Sequence, residues 1–63
     1  MRITLNGQDK ELAAPLTVAA LLPADPRGHA VAVNGAVVPR ARHAVHLLRD
    51  GDVVELVTAV QGG

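Results

Sequence analysis

The 63-residue sequence contains no cysteine, phenylalanine, tyrosine or tryptophan. Without cysteine there are no disulfides and no thiolate zinc site, and the composition fits a reducing compartment. Without aromatics there is no platform on which single-stranded bases could stack. Charge of one sign is also lacking: six Lys and Arg offset six Asp and Glu, for a formal net charge of zero. A nucleic-acid binder needs a basic surface that displaces counterions, so none is expected here. No apolar run approaches the roughly 20 residues of a membrane span, and Met1-Arg2-Ile3-Thr4 alternates too soon to begin a signal peptide. These absences point to a soluble, cytoplasmic protein without membrane or nucleic-acid partners. The length suits one domain near the lower limit of unaided folding. That leaves little room for both a core and a deep ligand pocket, which runs to about 300–1,000 Å³.

What is present is aliphatic and strand-patterned. Met1, Ile3 and Leu5 alternate with polar residues, as in a half-buried strand. Asn6-Gly7 then signals a hairpin turn, and Gln8 to Ala13 forms the return strand. Its Asp9, Lys10 and Glu11 mark an exposed edge, where charge discourages foreign strands. Thr17 is placed to cap a short helix, with Val18, Leu21 and Leu22 at i, i+3 and i+4, and Pro23 should break or kink it. Asp25 to Gly28 reads as a loop. Ala30 to Val33 is strand-like and ends at a second Asn-Gly, Asn34-Gly35. Ala36-Val37-Val38 resumes briefly before Pro39, and Arg40 to Leu48 is too mixed to assign. Asp50-Gly51-Asp52 is a tight turn, Val53 to Val57 a β-branched strand, and the remainder a tail. The order predicts an α+β layer with one helix across one face of a small mixed sheet. Its first and last strands should pair in parallel at the centre. The expected core is Ile3, Leu5, Leu12, Val18, Leu21, Leu22, Val31, Val33, Val54 and Leu56.

Few residues suggest chemistry. His43 and His46 stand three apart, but without convergent ligands they read as surface histidines, and no metal site is expected. Asp50 and Asp52 flank Gly51 as turn residues do, and no nucleophile–base constellation accompanies them. Arg40, Arg42 and Arg49 form either a solvated surface or a basic docking patch that raises an on-rate. Val53 and Val57 should face away from the helix-covered side and offer a partner surface next to the tail. Gly62-Gly63 places a carboxylate on residues without side chains, with wide backbone freedom. Such a tail can enter a narrow channel and reach another protein's catalytic centre. The plainer alternative is a frayed terminus or linker.

Taken together, Ile3-Thr4-Leu5-Asn6-Gly7, Leu16-Thr17-Val18, Leu21-Leu22, Val31-Ala32-Val33-Asn34-Gly35, Val37-Val38-Pro39-Arg40, Asp50-Gly51-Asp52-Val53-Val54-Glu55-Leu56 and Gly62-Gly63 resemble the thiamine-biosynthesis sulfur carriers of the ThiS family. The resemblance spans essentially the whole chain. It implies a ubiquitin-like β-grasp domain over residues 1–58 and a flexible tail over residues 59–63, with one main helix packed on one sheet face. It further implies that the protein is not an enzyme but a protein co-substrate. An activating enzyme would adenylate the Gly63 carboxylate with ATP and magnesium, the carrier itself binding no cofactor. A sulfur donor, such as a desulfurase, would convert the adenylate to a thiocarboxylate, and thiazole synthase would receive the sulfur. Gly62, Gln61 and Val60 would thread the partner's channel. Val57, Ala59, Arg40 and Arg42 would form the partner-binding surface, the arginines docking an acidic patch on the activating enzyme. Two alternatives stay open: a carrier for another pathway, such as molybdopterin, cysteine synthesis or protein conjugation, and a β-grasp interaction module with an inert tail.

Overall fold

The computed structural model describes residues 1–25 and 27–58. Five strands form one sheet: β1 (Arg2–Leu5), β2 (Gln8–Glu11), β3 (His29–Val33), β4 (Ala36–Val38) and β5 (Val53–Thr58), in the order β2-β1-β5-β3-β4. Both hairpins close on Asn-Gly. Asn6 and Gly7 have φ of 49° and 81°, and Asn34 and Gly35 have φ of 51° and 84°. A two-residue turn with positive φ at both positions matches the right-handed strand twist, and few other residue pairs accept it. The last strand is central. It runs parallel to β1, with Thr4 opposite Val53 and Leu5 opposite Val54, and antiparallel to β3 along its whole length. The mixed sheet and its parallel central pair are therefore those expected from the sequence.

One face of the sheet carries the core. Ile3, Val18, Val31, Val33, Val38, Leu48 and Val54 are buried, with Met1, Leu5, Leu12, Leu16, Leu21, Leu22 and Leu56 packed partly exposed against them. Val38 and Leu48 belong to the core although the sequence did not mark them. Leu5, Leu12, Leu21, Leu22 and Leu56 sit at its margin. Strand β2 is exposed throughout, so it closes the sheet edge without contributing to the core, and it ends at Glu11 instead of Ala13.

The expected main helix is absent. Among the described residues the helical pieces are two short 3₁₀ turns, Val18–Leu21 and Arg40–Arg42. Pro23 supplies the local cause. Leu22 precedes Pro23, whose ring excludes the helical region for the residue before it, and Leu22 is extended at φ −104°, ψ 155°. The start of the turn is also bonded to another segment, through donors that a helix would leave free. Val18 N–H donates to His46 O at 3.0 Å and Ala19 N–H to His43 O at 2.9 Å, while Leu48 N–H donates to Leu16 O at 2.9 Å. Thr17 makes no side-chain cap and bridges to Leu47. The layer over the sheet is thus two irregular segments laced by main-chain hydrogen bonds. The expected flexible tail lies outside the described residues.

The same lacing corrects the reading of His43. It is buried, and its Nε2 lies 2.9 Å from Val38 O, an arrangement in which the ring N–H donates to the carbonyl. It satisfies the end of β4 in the core, whereas a surface histidine was expected.

Candidate functional site

Strand β5 leads toward the Gly-Gly tail, and both Asn-Gly turns hold it. Asn34 Oδ1 accepts from Val53 N–H at 2.9 Å, and Asn6 Oδ1 accepts from Leu56 N–H at 2.8 Å. Their own amides donate in turn, Asn34 N–H to Val53 O at 2.7 Å and Asn6 N–H to Val54 O at 2.9 Å. Each asparagine therefore makes its turn and grips the central strand. A hydrogen bond of this kind contributes roughly 0.5–1.5 kcal/mol net. Asn34 is anchored further: its Nδ2 donates to Asp52 Oδ1 at 3.0 Å, and Asp52 Oδ2 accepts from Arg49 N–H at 2.8 Å. Asp52 is buried. The Asp-Gly-Asp segment is a turn, as read from sequence, but Asp52 also locks the start of β5. Asp50 Oδ1 accepts from Arg2 N–H at 2.6 Å, tying the same turn to β1.

Alternation along β5 decides what the strand shows to a partner. Val54 is buried and Leu56 half-buried, while Val53, Glu55 and Val57 are exposed on the opposite face. The register places Ala30 beside Val57 and Ala32 beside Glu55, and Val37 follows Ala32 across β4. Val57 is 59% exposed and Val37 73% exposed. The outcome is an apolar strip of Val37, Ala32, Ala30, Val53 and Val57 around the single carboxylate of Glu55. Small alanines keep the strip low, so a partner side chain can approach the sheet closely. The outward exposure of Val57 is the one expected from the sequence. Ala30, Ala32 and Val37 were not marked, though the period-two pattern that puts Val31 and Val33 inside puts the alanines outside.

The remaining site residues are distributed differently. Arg40 and Arg42 are exposed on the second 3₁₀ turn, which leads into the layer covering the core face. They do not share a face with Val57. They also border different hollows. Arg40 lines a small one of about 340 Å³ with Leu22, Pro23 and His43. Arg42 lines a groove of about 630 Å³ with Val45, His46, Leu47, Arg49, Asn34 and Asp52. Ala59, Val60, Gln61, Gly62 and Gly63 lie outside the described residues. Among the described residues, no three His, Asp or Glu side chains gather as metal ligands would, and no helix is long and apolar enough to cross a membrane.

The charge pairs among the described residues sit at the β2 edge of the sheet and in the loop before β3. The Met1 ammonium donates to Glu11 Oε2 at 2.7 Å and holds the Glu11 carboxyl below its usual range, with Arg2 adding to the effect. The Arg27 guanidinium hydrogen-bonds Asp25 and lowers its carboxyl, and Asp25 raises Arg27 in return. Both pairs are solvent-exposed, where ion pairs contribute little.

Comparison with known proteins agrees with this architecture. The model of the ThiS family matches residues 3–63. The Sulfur carrier protein ThiS of Escherichia coli is 41% identical over 66 aligned positions, covering all of both chains. A Thiazole synthase of Paramagnetospirillum magneticum is 36% identical over the same length, and there this chain spans 20% of the relative. The crystal structure of the thiamine biosynthesis protein (ThiS) from Geobacter metallireducens superposes with a TM-score of 0.83 at 32% identity, covering all of both chains.

Proposed function

The chain belongs to the ThiS family of sulfur carriers in thiamine biosynthesis, and on that premise we propose that the Gly63 carboxylate is the group that carries the sulfur. The protein is a carrier and not a catalyst. In this reading an activating enzyme joins the carboxylate to AMP, using ATP and magnesium, which turns a poor electrophile into one with a good leaving group. Sulfide-level sulfur from a donor then attacks the acyl carbon. The C–S bond forms as the acyl C–O bond to phosphate breaks, so that AMP leaves and a thiocarboxylate remains. The sequence contains no cysteine, so a persulfide on the carrier itself is not open to it. The activating enzyme supplies the electrostatic stabilisation of the intermediate, and the carrier supplies a tail slim enough to reach it.

The observation that carries the proposal is the match to a sulfur carrier over its full length, with the family model reaching Gly63. The match to part of a thiazole synthase supports that enzyme as the sulfur acceptor. We assign the open strip around Val57 to the activating enzyme, because it is apolar, exposed and continuous with the strand that leads to the tail. The test is ATP–pyrophosphate exchange by the activating enzyme with the unaltered chain, with Gly63 deleted and with Gly63→Ala. Exchange should be lost on deletion and strongly reduced for Gly63→Ala, since the added methyl meets a channel shaped for glycine. Full exchange with the deleted chain would place the activated carboxylate elsewhere.

A further inference from the structure

The groove lined by Arg42, Val45, His46, Leu47 and Arg49 is not used by the proposed site, and its chemistry is different. The guanidinium groups of Arg42 and Arg49 form no ion pair among the described residues, where the pairs involve Met1, Arg2 and Arg27. The carboxylates nearest in sequence bond neutral donors, which do not cancel their charge, and Asp52 lines the groove. Asp52 accepts from Asn34 Nδ2 and Arg49 N–H, and Asp50 accepts from Arg2 N–H. His46 is half-buried at the groove wall. Beside these cations Val45 is 59% exposed and Leu47 56% exposed. The groove thus offers two exposed arginines that make no ion pair among the described residues, against the one buried carboxylate of Asp52, next to two apolar anchors.

We propose that this groove docks an acidic segment of the sulfur acceptor, with apolar side chains of that segment covering Val45 and Leu47. The proposal rests on the reading that the chain hands sulfur to an acceptor. Charge complementarity selects the occupant: carboxylates answer Arg42 and Arg49, and steer encounter as well as holding the complex. Position separates it from the activating enzyme. The groove belongs to the layer over the core face, whereas the open strip lies on the other face of the sheet. It is also at the Val53 end of β5, bounded by Asn34 and Asp52, while the tail continues from Thr58. Five strand steps of about 3.3 Å put these ends roughly 17 Å apart. A protein gripping the groove therefore holds the carrier at a fixed remove from the tail. Two surfaces on opposite sides allow the acceptor to capture the carrier without competing for the strip.

The experiment measures affinity of the intact chain for thiazole synthase and, separately, for the activating enzyme, at low and high salt. It compares the unaltered chain with Arg42→Gln/Arg49→Gln, both positions being exposed. The double variant should bind thiazole synthase about tenfold or more weakly and lose most of the salt dependence, while binding to the activating enzyme and adenylation stay as before. Equal affinity of both chains for thiazole synthase would overturn the groove assignment and leave the carrier reading intact. Equal loss toward both proteins would also overturn it. If the unaltered chain does not bind thiazole synthase, the choice of acceptor falls, and this proposal with it. Should the double variant melt below the parent, Leu47→Asn measured in the same way decides by the same outcomes.

Discussion

Between Val53 and Val57 the two faces of β5 are aliphatic, apart from Glu55 on the outer one, and do opposite work. Val54 and Leu56 pack against Ile3, Val31 and Val33, whereas Val53 and Val57, one step away on the chain, stand open to solvent. Side-chain chemistry does not distinguish them; the parity of position does. A single strand thus supplies the centre of the core on one side and the proposed recognition strip on the other. What keeps the two apart is register, because a slip of one residue would exchange the faces. This gives the paired Asn-Gly turns their importance, since each asparagine fixes β5 at a defined amide.

The largest effect should come from beyond the strand. Removing Gly63 is expected to abolish activation while leaving thermal unfolding unchanged, which would separate the tail from the fold; calorimetry beside an adenylation assay reads both. Next comes the contrast between faces. Val54→Ala should cost about 2 kcal/mol through the cavity it leaves, while Val57→Ala should stay within about 0.5 kcal/mol. Val57→Asp should weaken binding to the activating enzyme without unfolding the domain. Chemical denaturation and binding titrations check these, and unfolding by Val57→Asp would break the comparison, because Val57 would then be a core residue. Third, Asn34→Ala should destabilise by about 1–3 kcal/mol, since it leaves Asp52 short of a donor in a buried place. Asn6→Ala should cost less, because its side chain grips only Leu56 N–H.

The smallest effect concerns the edge. Glu11→Gln should lower the melting temperature only slightly at neutral pH. The Glu11 carboxyl is held below its usual range by the Met1 ammonium. Its contribution is therefore present above the ordinary carboxylate range and is lost as pH falls through the depressed folded value. Melting followed across acid pH should show the parent and the variant converging at the low end. A gap that persists there would assign the effect to something other than this charge.

Much of this was legible in the residues, and the failures have a common cause. The hairpins were readable because Asn-Gly specifies a local backbone, and β5 because of its β-branched run. The parallel pairing followed from the long connection between first and last strands. The spacing of Val18, Leu21 and Leu22 suggests a helix, but it is a local signal and does not show that residues 43–48 bond the start of that segment. Pro23 marks a break or kink in the sequence, and in the structure its constraint on Leu22 ends the segment after one turn. Val38, Leu48 and the buried His43 escaped for the same reason: they are placed by segments whose conformation depends on one another. At the candidate site, alternation along β5 was enough to foresee that Val57 is exposed. The second role of Asn6 and Asn34 was not foreseen, since a turn signal does not reveal what its side chain reaches across the sheet.

The central claim is that Gly63 carries sulfur, and intact mass spectrometry tests it most directly. The chain is incubated with the activating enzyme, ATP, magnesium and a sulfur source, and the product is mapped by fragmentation. A gain equal to one sulfur replacing one oxygen, confined to Gly63, is the predicted result. An unchanged mass under conditions where the Escherichia coli carrier is converted would contradict it.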